Sequence, residues 1–204
     1  MKFAVSTLHF SQPVAIRHGS LGIQKAYRDS ILEHFIKFKE QNETYGQPGQ
    51  GWRTHNQIHQ DEEILTPLLD AIHVWYVNNI TGPRGPKMIS DWQWQNTNNL
   101  EIDCEVWFQE LLPGQGCPKH EHGTLSRYSW VYYLNVDDGA TPLVFTKLQE
   151  QKNELSEVDT TLLSVYNDLL VMFPSTLLHH VEPAESNRYI IAGNINDVVY
   201  KEPQ

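Results

Sequence analysis

Histidines and one arginine are the residues whose spacing could do chemistry in this chain. His120-Glu121-His122 sets two imidazoles two positions apart, Phe173-Pro174-Ser175-Thr176-Leu177-Leu178-His179-His180-Val181 brings another pair about sixty residues later, and Arg188 follows His179 by nine. Alternate side chains of an extended segment share a face, so His120 and His122 project together while Glu121 points away. Neutral imidazoles are common metal ligands, and three of them drawn from two distant segments make a cation site. In the second segment alternation lets either His179 or His180 share the inner face, but not both. Arg188, one strand length further on, offers a fork of donors to a carboxylate. Ten histidines in 204 residues give roughly half an occurrence of His-x-His by composition alone. The first pair therefore gains its meaning from the second segment.

The elements that must position these groups change character along the chain. Ile23, Ala26, Tyr27, Ile31, Leu32, Phe35 and Phe38 recur at three- and four-residue spacing and predict an amphipathic helix of about five turns. A loop follows from Glu43 to Asn56. A second helix is expected to start near Asp61 or at Thr66-Pro67, with Thr as a cap and Pro in the first turn, and to run through Leu68, Leu69, Ile72 and Trp75. From Asp91 onward short apolar or alternating runs predict strands at Leu100 to Leu111, Tyr128 to Asn135, Pro142 to Thr146, Thr161 to Tyr166, Leu169 to Phe173, Thr176 to Val181 and Tyr189 to Ile195. Many strands with no helices between them predict an antiparallel sandwich or barrel, mainly β, braced on one sheet face by the N-terminal helices. The chain reads as a single domain over 1–204, with helical support in 1–90 and the β core in 91–200.

Composition narrows the partners. A formal charge of -10 and a pI near 5.4 argue against a broad phosphate-binding surface, which excludes nucleic acid and favours a small-molecule or protein substrate. The one compact basic patch, Pro83-Arg84-Gly85-Pro86-Lys87, lies among turn residues and reads as a solvated turn. Only Cys104 and Cys117 are available for a disulfide, and a core of this size needs none, so a reducing, cytoplasmic setting is expected. The apolar run from Phe3 to Leu8 is cut short by His9, Ser11 and Gln12, too early for a signal core. No stretch approaches the ~18 apolar residues that span a bilayer.

The joint arrangement resembles the Fe(II)- and 2-oxoglutarate-dependent oxygenases, in particular the prolyl-hydroxylase-like branch and a group of small bacterial and phage members. The residues that carry the resemblance are His120-Glu121-His122, Tyr132-Tyr133-Leu134-Asn135, Phe173-Pro174-Ser175, His179-His180-Val181, Arg188 and, upstream, Gly51-Trp52-Arg53-Thr54. It is closest over about residues 100 to 196. The resemblance implies a double-stranded β-helix of jelly-roll or cupin type. It makes His120, His122 and His179 the ligands of Fe(II), with His180 a neighbour, and it gives Tyr133 and Arg188 the far carboxylate of 2-oxoglutarate. It further implies a dioxygenase that uses dioxygen to hydroxylate a C–H bond and releases succinate and CO2. Substrate would enter at a mouth bordered by Gly114 to Lys119 and by Trp92, Trp94 or Trp130.

Two positions depart from that family's pattern. His122 stands where most members carry Asp or Glu, and Ile190 stands where many place a serine that shares the carboxylate, a role Tyr133 then takes. Three neutral imidazoles leave a divalent ion at +2, which a dianionic co-substrate neutralises. Such sites also suit Zn, Ni and Cu. The rival readings are a three-histidine, cupin-type dioxygenase that uses no 2-oxoglutarate and a non-catalytic metal-binding β-barrel module.

Overall fold

A computed structural model describes residues 6–8, 15–81, 100–151 and 154–200. In chain order the elements are β1 (Ser6–Leu8), β2 (Ile16–Ser20), α1 (Lys25–Gln41), β3 (Trp52–Arg53), α2 (Ile58–Asp61), α3 (Thr66–Tyr76), β4 (Leu100–Leu111), β5 (Cys117–His120), β6 (Tyr128–Val136), β7 (Leu143–Gln151), β8 (Glu154–Leu163), β9 (Leu169–Pro174), β10 (Leu178–Val181) and β11 (Arg188–Tyr200). Among the described residues every pairing between these strands is antiparallel, and one isolated bridge, Gln57 to Val106, is parallel. A seven-stranded sheet runs β1-β2-β9-β6-β11-β4-β3 and a four-stranded sheet runs β5-β10-β7-β8. This is the jelly-roll architecture expected from the strand-rich second half.

Alternation explains why the large sheet has two apolar faces. In β4, Cys104, Val106 and Phe108 join Leu170 and Met172 of β9 in a cluster with the helices, built on Ile31 and Phe35 of α1 and Leu68, Ile72 and Trp75 of α3. The intervening residues, Trp107 of β4, Tyr133 of β6, Val171 and Phe173 of β9 and Ala192 of β11, turn the other way and pack against Leu143 and Phe145 of the small sheet. Phe35 stacks on Phe108 with ring centroids 4.6 Å apart, which fixes α1 against the sheet. The helices therefore close the outer face and leave the space between the sheets for the site.

α1 and α3 lie where the three- and four-residue spacing puts them, with two differences. Ala26 is exposed, because the apolar stripe of α1 narrows to Ile31 and Phe35. Thr66 does not cap α3: Leu65 occupies the cap position without a side-chain bond, and Pro67 sits in the first turn. Among the strands, β10 begins at Leu178, not Thr176, because Leu177 N–H closes a turn onto Pro174 O at 2.9 Å. The hairpin β7–β8 reaches Gln151 and Glu154, and β8 stops at Leu163, short of Tyr166. β2 and β3 were not legible as strands, since Ile16–Ser20 is polar at three positions and Trp52–Arg53 is two residues long. The basic patch 83–87, the start of the chain through Val5, Trp92 and Trp94 lie outside the described residues. Among the described residues no helix is long and apolar enough to cross a membrane, and both cysteines are free.

One buried acid ties the helical layer to the sheet. Asp168, in the left-handed region at φ 69°, accepts from Gly22 N–H at 2.8 Å, Ile23 N–H at 3.0 Å and Tyr132 Oη–H at 2.9 Å, and Ser20 Oγ also donates to it. It thus supplies acceptors at the entry to α1, where no local side chain caps the helix. Asp168→Ala removes all four acceptances and places a Cβ-bearing apolar residue at positive φ, so a loss of about 3 kcal/mol in urea unfolding is expected. Asp168→Asn, which tolerates the backbone, should lose less; equal losses would assign the effect to the lost carboxylate acceptors and not to the turn.

Candidate metal centre

The site forms where the small sheet meets the turn after β9. His120 closes β5, and its direct cross-strand partner is His179 of β10. His122 has left β5, and its N–H binds Ser175 O at 2.9 Å, which holds it beside the turn that follows β9. The three rings converge: centroids lie 5.1 Å apart for His120 and His122, 4.3 Å for His120 and His179, and 5.2 Å for His122 and His179. One ring nitrogen from each lies within 4.8 Å of the others, so a single cation is within reach of all three. His180, left open by alternation, borders the same cavity but is not one of the three converging residues and pairs with Glu182 at 3.0 Å.

Outer contacts orient the rings. His120 Nδ1 lies 2.7 Å from Pro118 O and His179 Nδ1 lies 2.9 Å from Leu177 O. Each carbonyl favours the tautomer with Nδ1–H, leaving Nε2 bare for a metal. Behind His122, Asn194 of β11 lies 3.3 Å from Nδ1 and donates to Glu105 Oε2 at 2.9 Å, while Ser129 donates to its Oδ1 at 2.9 Å. Gly193 is required beside it, since a Cβ there would sit 2.3 Å from Glu105 O and 2.5 Å from Trp130.

Burial dominates the electrostatics. It pulls the His179 imidazole down to about 3 and that of His122 to about 4 from the usual 6.5, with the neighbouring His120 adding to both. His120 is lowered for the same reason, against the pull of Pro118 O. The unfolded chain therefore takes up protons first as pH falls below about 6.5, and the metal-free fold loses stability from there downward. His179, 5% exposed, alone accounts for about 2 kcal/mol lost between pH 7.5 and 5. Unfolding of the metal-free protein at those two pH values checks this, and a flat profile would contradict a neutral triad.

The same cavity holds the other two residues singled out from sequence. Arg188 and Tyr133 line it together with His120, His122 and His179. Arg188 is 2% exposed; its Cζ lies 5.1 Å from the Tyr133 ring centre and its Nη2 donates to Thr141 O at 2.9 Å. Its Nε and Nη1 are buried with no hydrogen-bond partner. Burial pushes the Tyr133 phenol up, with Arg188 opposing. Ile190 lines the cavity without a polar atom to offer. Trp130 is a core residue, 2% exposed, that also borders the cavity.

Sequence reasoning gave no role to Arg53, Glu105, Trp107, Asn194 or Thr141. Arg53 lay inside the quoted Gly51-Trp52-Arg53-Thr54 run, the one signal that could have found it. Its guanidinium lies 4.3 Å over the Trp107 ring, whose centre is 6.1 Å from that of His122.

No family model matches the chain. No curated protein matches it either. Solved structures do match. A prolyl-4-hydroxylase of Pseudomonas putida is 17% identical with a TM-score of 0.54, covering 89% of this chain and 86% of its own. A prolyl hydroxylase of Trichoplax adhaerens, solved with a hypoxia inducible factor peptide fragment, is 14% identical with a TM-score of 0.56 over 89% and 83%. HygX of Streptomyces hygroscopicus, solved with nickel and 2-oxoglutarate bound, is 9% identical with a TM-score of 0.55 over 89% and 82%. At these identities the likeness is one of fold: this chain has the architecture on which prolyl hydroxylases and a 2-oxoglutarate-binding protein are built.

Proposed function

We propose that the chain is an oxidoreductase, a 2-oxoglutarate-dependent dioxygenase that hydroxylates a C–H bond of a small-molecule or protein substrate and releases succinate and CO2. The observation that carries this reading is the coexistence, in one cavity, of three converging imidazoles and a buried guanidinium with two unpartnered nitrogens. A metal site alone explains the histidines. It leaves Arg188 unexplained, because a desolvated cation without an anion is costly.

The residues present fit both groups. His120, His122 and His179 would hold Fe(II), and Arg188 with Tyr133 would hold the far carboxylate of 2-oxoglutarate. When bound, the metal and its co-substrate supply the oxidative chemistry. The chain's own part is to keep the imidazoles neutral by burial, to fix two of them through Pro118 O and Leu177 O, and to surround the cavity with Leu143, Phe173 and Ile190 so that water is excluded. The charge balance agrees: a divalent ion on three neutral rings beside Arg188 calls for a dianion. That the fold neighbours include HygX with nickel and 2-oxoglutarate bound supports the same assignment.

The three-histidine ligand set is the one observation that favours a cupin-type dioxygenase without 2-oxoglutarate. Thermal unfolding separates the two. With Mn(II) standing in for Fe(II), 2-oxoglutarate should raise the melting temperature beyond the metal alone, and Fe(II) with dioxygen should then yield succinate. Stabilisation by metal with no further effect of 2-oxoglutarate would move the assignment to the cupin type or to a non-catalytic metal module.

A further inference from the structure

A second cleft, of about 450 Å³, opens on the outer side of the histidines and is lined by Gln50, Arg53, Glu105, Trp107, His120 and His122 among others. It shares Trp107, Gln109, Cys117, His120 and His122 with the cavity that holds Arg188. Two of the three imidazoles, His120 and His122, therefore border both chambers, one of which holds Arg188 and the other Arg53. A volume of that size accepts a small molecule.

The outer chamber carries one cation, Arg53, and one anion, Glu105, which act on one another at longer range without a direct ion pair. Arg53 is placed by β3: its register partner on β4 is Gln109, two residues from Trp107 and so on the same face. Its guanidinium stacks on Trp107 at 4.3 Å, its Nη2 donates to Asn56 Oδ1, and its Nε is buried with no partner. Among the described residues no carboxylate lies within ion-pair distance of Arg53, and no cation lies within that distance of Glu105. Glu105 accepts instead from Asn194 at 2.9 Å and from Asn56 Nδ2 at 3.4 Å. Asn56 thus stands between the two charges with its carbonyl oxygen toward Arg53 and its N–H toward Glu105. That is the polarity of a carboxylate beside an ammonium.

We propose that this cleft seats the molecule to be oxidised and that it is a small amino-acid zwitterion, its carboxylate on Arg53 and its ammonium on Glu105; the proposal rests on the oxygenase reading of the histidines. A phosphate ester fits the cleft worse. Its second negative charge would face Glu105, and one guanidinium offers a single fork where a dianion needs more donors. A purely cationic amine would be opposed by Arg53.

The test is thermal unfolding of the Mn(II)- and 2-oxoglutarate-loaded protein against the twenty proteinogenic amino acids at millimolar concentration and against their α-amides. At least one amino acid should stabilise the protein further. Its α-amide should not, and Arg53→Gln and Glu105→Gln should each weaken its binding about tenfold or more. Arg53→Gln should keep the shift from 2-oxoglutarate, which also reports that the variant is folded. Silence across the whole panel, or stabilisation that survives Arg53→Gln or amidation, overturns the zwitterion cleft. Should Mn(II) and 2-oxoglutarate themselves give no shift, the oxygenase reading fails first; should they shift the protein while no amino acid adds to it, the cleft proposal alone fails.

Discussion

Arg188→Met is expected to abolish stabilisation by 2-oxoglutarate while leaving the unliganded protein at least as stable as before. The two halves of this result have one cause. Arg188 is buried to 2% exposure, and of its three guanidinium nitrogens only Nη2 has a partner, the carbonyl of Thr141 at 2.9 Å. A charge taken out of water without a counter-ion costs several kcal/mol, and replacing buried ionic groups by apolar ones of similar volume is often neutral or stabilising by about 1–4 kcal/mol. Methionine keeps much of the length of the side chain and its packing against Tyr133. The fold should therefore gain, by about 1 kcal/mol or more in urea unfolding. The ligand should lose charge-assisted bonds worth roughly 1.5–3 kcal/mol each, a fall in affinity on the order of a hundredfold. Arg188→Lys, which keeps a charge but not the fork, should fall between. If Arg188→Met melts well below the parent protein, the arginine is a structural member of β11; if 2-oxoglutarate still stabilises it, the carboxylate is held elsewhere.

Removing His179 should have the largest effect on the metal. It is the most buried of the three rings. It is set by Leu177 O and by an edge contact with Phe173 at 4.7 Å between centroids. Loss of an outer partner of a ligand typically costs 10–100-fold in metal affinity, and loss of a ligand itself should exceed that, on the order of a thousandfold. His179→Ala is expected to bind Mn(II) or Fe(II) that much more weakly in chelator competition, with succinate formation lost. His180→Ala, whose ring pairs with Glu182, should leave metal affinity unchanged. The opposite ranking would transfer the ligand role to His180 and with it the register of β10.

How much of this was legible in the sequence depends on whether a local pattern or a distant pairing decides the residue. α1 and α3 follow from the spacing of Ile31 and Phe35 and of Leu68, Leu69 and Ile72, because a helix buries a stripe set within one segment. β4, β6, β9 and β11 likewise announce themselves by apolar runs. β2 is polar at Arg17 and His18, and its strand character comes from a ladder with β9 across about 150 positions, which no local pattern records. The choice between His179 and His180 could not be made from alternation. It is the pairing of His179 with His120 that settles which imidazole faces its partners. Asn194, Glu105 and Trp107 look like ordinary strand residues, and only the antiparallel pairing of β11 with β4, which sets Asn194 opposite Glu105, brings them behind His122.

The placement of β5 has a consequence for motion. It is a four-residue strand at the margin of the small sheet, with β10 as its neighbour there, and short marginal strands open readily. His120 on β5 and His179 on β10 face each other directly, so an ion shared by them would rivet the least anchored strand to the sheet. Amide hydrogen exchange over 117–120 should then slow sharply when metal is added, while exchange in α1 and α3, on the far side of the large sheet, stays as it was.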